Sequence, residues 1–144
     1  MAESQPISWR VHLHASPEQV FSLLTTSEGR ARFWAESAVD DGQKITWVWT
    51  DGMTAQTDIL ECVPPTRFVL KYFGGSTVTF VLNDDGSGGT DLLLTDAEVS
   101  ATDWQETHAG WVSVLLALKA AVDHRIDLRN HDPQRTWDQG YVDN

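Results

Sequence analysis

Cysteine is nearly absent: the 144-residue chain has one, Cys62. An internal disulfide is therefore excluded, and a reducing, cytoplasmic setting is the expectation. Long apolar runs are missing too. No stretch approaches the roughly 20 apolar residues that a membrane-spanning helix needs. The opening MAESQPISW has neither a basic nor an apolar stretch, so no secretory leader is expected. Positive charge is scarce: 10 Lys and Arg stand against 21 Asp and Glu, a formal net charge of -11. So acidic a surface repels phosphate backbones and anionic headgroups, which sets nucleic-acid and membrane partners aside. The glycine-rich GSGG at 86–89 lies in a hairpin and opens no helix, so it is not read as a phosphate cradle.

What is present is ordered and periodic. Apolar residues make up 41% of the chain, enough for one domain with one core. Trp104, His108, Trp111, Leu115, Leu118 and Val122 step by three and four and share one face of a helix. Thr102 or Asp103 can cap that helix. Gly110 weakens its first turns, so the expected span is about 109 to 128. Upstream, Ile7, Trp9, Val11 and Leu13 alternate as a half-buried strand. Ser16-Pro17 is a helix start, with a short apolar face from Val20 to Leu24. Ser27 and Gly29 interrupt it, and a second short helix is expected to carry Ala31, Phe33 and Trp34.

From about residue 40 to 99 the chain alternates and turns. Asp40-Asp41-Gly42, Asp51-Gly52, Pro64-Pro65, Gly74-Gly75 and the polar run 83–89 separate strand-like segments. The order is strand, two short helices, roughly six strands and a long helix. Hairpin-length connections make the sheet antiparallel, and segregated helices make the fold α+β.

Four segments carry a resemblance: SPEQVFSLLTTSEGRARFW, VPPTRFVLKY, GGTDLLLTD and GWVSVLLAL. In this order they resemble the START-like (SRPBCC) superfamily, in the branch named for the activator of the heat-shock protein 90 ATPase. The likeness covers about residues 7 to 127. It implies a helix-grip fold, with a curved sheet of about six to seven strands around the C-terminal helix and a cavity between them. Superfamily members bind lipids, hormones and other apolar molecules, and some relatives are cyclases or hydroxylase components. The expected domain is 1–144, with a core at about 7–128 and a tail at 129–144.

The resemblance makes binding of a small apolar or aromatic molecule the first functional expectation. Trp47, Trp49, Tyr72, Phe80 and Trp111 are candidates to line the pocket, with Leu94, Leu115 and Leu118 beside them. The alternative is that these residues fill a solid core. Asp96 shares the parity of Leu92 and Leu94, where the branch often has a histidine. An inward Asp96 would have its pKa raised by desolvation and could orient a ligand. A strand end or bulge with Asp96 capping a turn is the preferred expectation. His108 could bond a ligand or exchange protons with Asp96, or simply edge the core. A second reading is therefore a cyclase- or hydrolase-like enzyme using Asp96 and His108. A third is a co-chaperone-like interaction module or homodimer using the acidic face and the tail. No metal site and no cofactor is expected: His12, His14, His124 and His131 lack partners at ligand spacing. Cys62 reads as a small buried apolar residue. Trp137 and Tyr141, if helical, share a face that can cover the cavity mouth or a second subunit.

Overall fold

The structure, a computed structural model, describes residues 4–144. Seven antiparallel strands form one sheet in the order β1-β7-β6-β5-β4-β3-β2. They are β1 (Ser4–Leu13), β2 (Ser37–Asp40), β3 (Lys44–Val48), β4 (Thr54–Val63), β5 (Arg67–Lys71), β6 (Thr77–Asp84) and β7 (Thr90–Ser100). Helices α1 (Pro17–Thr25) and α2 (Ser27–Arg30) intervene between β1 and β2, and α3 (Trp104–His124) follows β7. This is the expected α+β helix-grip, with α3 packed against β1, β7 and α1.

Local chemistry sets the element ends. Ser16 and Gln19 form a reciprocal capping box at the start of α1, with Pro17 in the first turn. The second helix is not where Ala31, Phe33 and Trp34 lie. It runs over Ser27–Arg30, because the Thr26 side chain accepts the Gly29 N–H and starts a new turn. Ala31, Phe33 and Trp34 occupy the turns after it. Gly29 permits this tight junction: a Cβ there would drive into the Leu23 backbone. Arg30, 0% exposed, then bolts α2 to β2. Its guanidinium donates to the Ala38 and Leu24 carbonyls and pairs with Asp40. That buried arginine and the short strand it anchors were not expected from the sequence pattern.

The long helix begins at Trp104, not near 109, and stops at His124, not 128. Gly110 sits inside it without ending it. Arg125, in the left-handed conformation, closes the helix by donating its N–H to the Ala120 and Ala121 carbonyls. The stripe behaves as its spacing requires: Trp111, Leu115 and Leu118 are buried, and Trp104, His108 and Val122 are half-buried.

Sheet register stacks the core in rows. Phe68 pairs with Phe80 and Phe80 with Leu94. The next row is Leu70, Val78, Asp96 and Ile7, so one carboxylate sits among three aliphatic residues. Cys62 is exposed, which corrects its reading as buried. A register shift between Ile59 and Glu61 breaks the pattern of β4, and Leu60 to Val63 face solvent. Partial burial still pushes the Cys62 thiol pKa up, with the Asp40 charge adding to it.

Candidate functional site

A cleft of about 590 Å³ opens where the far end of the sheet meets the N-terminal half of α3. That volume falls within the ~300–1,000 Å³ range of small-molecule sites. Its wall is aromatic: Trp34, Trp49, Tyr72, Phe73, Trp111 and Trp137. Trp34 comes from the turn after α2. Trp49 extends the line of β3, and Tyr72 and Phe73 follow β5. Trp111 projects from α3, and Trp137 is supplied by the tail.

The rings pack on one another before any ligand is considered. Tyr72 stacks on Trp111 with centroids 4.9 Å apart, and Trp49 stacks on Trp47 at 5.5 Å and 3°. Phe73 lies 4.5 Å from Tyr72 and 5.4 Å from Trp49. Polar tips are largely used internally. Trp34 Nε1 donates to Tyr72 Oη at 3.2 Å, and Trp111 Nε1 to Asp96 Oδ2 at 2.9 Å. Trp137 Nε1 donates to Glu106 Oε1 at 2.9 Å. Burial pushes the Tyr72 phenol pKa upward against the Trp34 bond, and the Asp96 charge pushes the same way.

Asp96 points inward and is 0% exposed, so it is not a turn cap. A bulge does occur, but just after it. Between the pairs Ile7–Asp96 and Gln5–Val99, β7 spans one residue more than β1, and Glu98 takes φ 65°. Desolvation raises the Asp96 pKa; the Ser76 hydroxyl and the Trp111 N–H oppose that rise. Ser76 nonetheless makes no hydrogen bond to Oδ1, which has no partner among the described residues.

Of the ten residues expected to line a pocket, three do: Trp49, Tyr72 and Trp111. Asp96 stands behind Trp111. Trp47, Phe80, Leu94, Leu115 and Leu118 are 4% exposed or less and fill the solid core beneath. His108 faces elsewhere. Its ring packs against Trp9 at 4.7 Å and Trp104 at 4.4 Å, and its carbonyl accepts the Trp9 Nε1 proton. The structure therefore does not assemble an Asp96–His108 acid–base pair. Among the described residues no group of three His, Cys, Asp or Glu side chains is placed to hold a metal. His12 instead bonds Asp85 at 2.8 Å on the surface.

The tail forms a wall. It is not helical beyond a single 3-10 turn at Trp137–Gln139, so Trp137 and Tyr141 do not share a helical face. Trp137 enters the cleft while Tyr141 stays 41% exposed outside it. Arg129 ties the tail down by donating to the Ala35 and Ala31 carbonyls, each at 2.7 Å. His131 bridges Glu36 at 2.6 Å and Asp127 at 2.7 Å.

Residues 14–123 match the family described as activator of Hsp90 ATPase homolog 1-like protein. The chain belongs to that family. AHSA1-like proteins form part of the START/SRPBCC superfamily. Solved structures similar to this AHSA1-like chain include a protein from Staphylococcus saprophyticus. It is 20% identical, with a TM-score of 0.76, covering 87% of this chain and 96% of that one. The Aha1 dimer from Colwellia psychrerythraea is 22% identical, with a TM-score of 0.74 over 83% and 97% of the two chains. An AHSA1-like protein from Aeromonas hydrophila is 23% identical, with a TM-score of 0.69 over 83% and 96%. These likenesses establish the shared fold. The search of curated proteins found no match. Among the described residues no helix is long and apolar enough to cross a membrane.

Proposed function

We propose that this protein binds a small apolar or aromatic molecule in the cleft between the sheet, α3 and the tail. The observation that supports this reading is six aromatic side chains around about 590 Å³ of open space. Burying an aromatic ligand there would supply affinity through the hydrophobic effect and ring stacking. The solid core beneath the cleft holds the rings in place, so little ordering is required on binding. A non-enzymatic role fits the separation of Asp96 from His108. A chaperone partner, suggested by the family's description, would dock on the acidic face and the tail. The tail also walls the cleft, so removing 129–144 would disturb ligand capture as well as any partner.

The direct test is native mass spectrometry of freshly purified protein, followed by denaturing extraction of any released molecule. The expected result is a stoichiometric apolar or aromatic adduct, or saturable binding of an added aromatic probe. A clean apo mass together with no probe binding would contradict the reading.

A further inference from the structure

The charge around the cleft is one-sided. Five carboxylate side chains line it, those of Asp51, Glu98, Asp103, Glu106 and Asp138, and no Lys, Arg or His does. None of the ion pairs among the described residues uses any of the five. Three of them have local work. Asp51 accepts the Met53 N–H, Asp103 accepts the Ser100 hydroxyl, and Glu106 accepts the Trp137 indole N–H. Glu98 and Asp138 have no hydrogen-bond partner of their own among the described residues. Glu98 is also held at φ 65° by the bulge of β7, a conformation that non-glycine residues seldom adopt.

The cleft's neutral donors are only partly free: Trp49 Nε1 and Asn144 Nδ2 have no hydrogen-bond partner among the described residues. The indole N–H groups of Trp34, Trp111 and Trp137 are spent on Tyr72, Asp96 and Glu106. Ser100 and Ser113 donate to Asp103 and to the Val142 carbonyl. A ligand therefore meets ring faces, carboxylate oxygens and a few neutral donors, and no cationic side chain. A ring face carries negative electrostatic potential and attracts cations, as a carboxylate does. An anionic ligand such as a fatty acid would find no counter-charge here and would face five like charges.

Resting on the ligand-cleft reading above, we infer that the cleft selects organic cations. The occupant is a protonated or quaternary amine with an aromatic or alkyl body, its charged head held over the rings and near Glu98 and Asp138. The net charge of -11 would also steer a cation toward the molecule.

The test compares three probes of similar size by isothermal titration calorimetry on the full chain: phenyltrimethylammonium, its neutral isostere tert-butylbenzene, and benzoate. Cation–π attraction and nearby carboxylates together predict that the cation binds at least about tenfold more tightly than the isostere. Benzoate should not bind. The cation's advantage should shrink as salt rises from about 20 to about 500 mM. Glu98→Gln and Asp138→Asn, singly and together, should each reduce cation affinity about three- to tenfold and leave tert-butylbenzene unchanged. Testing them singly keeps one readout if the other variant folds poorly. Equal or tighter binding of tert-butylbenzene would overturn the cation inference while leaving the ligand cleft standing. A cation preference untouched by salt and by both substitutions would overturn the role of the carboxylates. Binding of none of the probes would overturn both readings.

Discussion

Replacing Trp111 by Phe isolates the bond between α3 and the buried carboxylate of β7. Trp111 is 1% exposed and Asp96 0%; the indole N–H donates to Oδ2, and Oδ1 has no partner among the described residues. Trp111→Phe removes that donor and leaves the buried carboxylate only the nearby Ser76 hydroxyl in an apolar row. A hydrogen bond to a charged group is worth about 1.5–3 kcal/mol, and the smaller ring adds about 1 kcal/mol of lost packing. The expected loss is therefore about 3–4 kcal/mol near neutral pH. Asp96→Asn in the same background removes the charge, so the double variant should lose only about 1 kcal/mol. The pH dependence has a definite sign. The folded pKa of Asp96 is raised above its unfolded value. Its contribution to stability is therefore full below the unfolded value, about 3.9, and is lost as pH rises through the folded value. Removing the donor raises the folded pKa further, so the deficit of Trp111→Phe should grow between about pH 4.5 and pH 7.5. Urea unfolding followed by circular dichroism at the two pH values measures all four proteins. A coupling below about 0.5 kcal/mol, or a deficit equal at both pH values, would refute the reasoning.

Other consequences follow from the same geometry. Gly29→Ala should destabilise by about 2–4 kcal/mol in thermal unfolding, because the Cβ meets the Leu23 backbone and not a movable side chain. Arg30→Ala leaves the Ala38 and Leu24 carbonyls and Asp40 without their partner, and should cost about 3–5 kcal/mol in chemical denaturation. Hydrogen bonds to Asp127 and then Glu36 raise the His131 pKa. The clasp it makes is therefore full below about 6.5, the unfolded value, and is lost as pH rises through the folded value. Tail amides near Trp137 should then exchange hydrogen faster, relative to core amides, at about pH 8.5 than at about pH 6. His131→Gln should abolish that difference.

Strand positions are legible because inward and outward residues alternate, as at Ile7 to Leu13 and Thr77 to Leu82. Helix ends are less so. Gly110 looks like a break in isolation, but α3 is held on both sides of it by packing against the sheet, and tertiary contact outweighs the propensity cost. Parity correctly put Trp47 and Trp49 on one face, yet it cannot say which is covered. Trp34 and Tyr72 pack over Trp47, whereas Trp49 lies beyond the end of β3 and lines the opening. Trp34 and Phe73 are not legible as wall residues, because both sit in turns, where no periodicity points a side chain. Parity alone points Asp96 inward, and the cost of an unpaired buried carboxylate argues the other way. Its partner lies 15 residues away on another element, and no local pattern signals that bond.

The most direct test of the cleft is a titration of protein labelled with 15N at its indole nitrogens, followed by NMR while benzyl alcohol is added. Trp34, Trp49, Trp111 and Trp137 line the cleft, whereas Trp104 donates to the Pro6 carbonyl and Trp9 to that of His108. The account predicts saturable shifts of the four cleft indoles, with Trp9 and Trp104 unmoved. No saturable shift in any of the four, or shifts confined to Trp9 and Trp104, would contradict it.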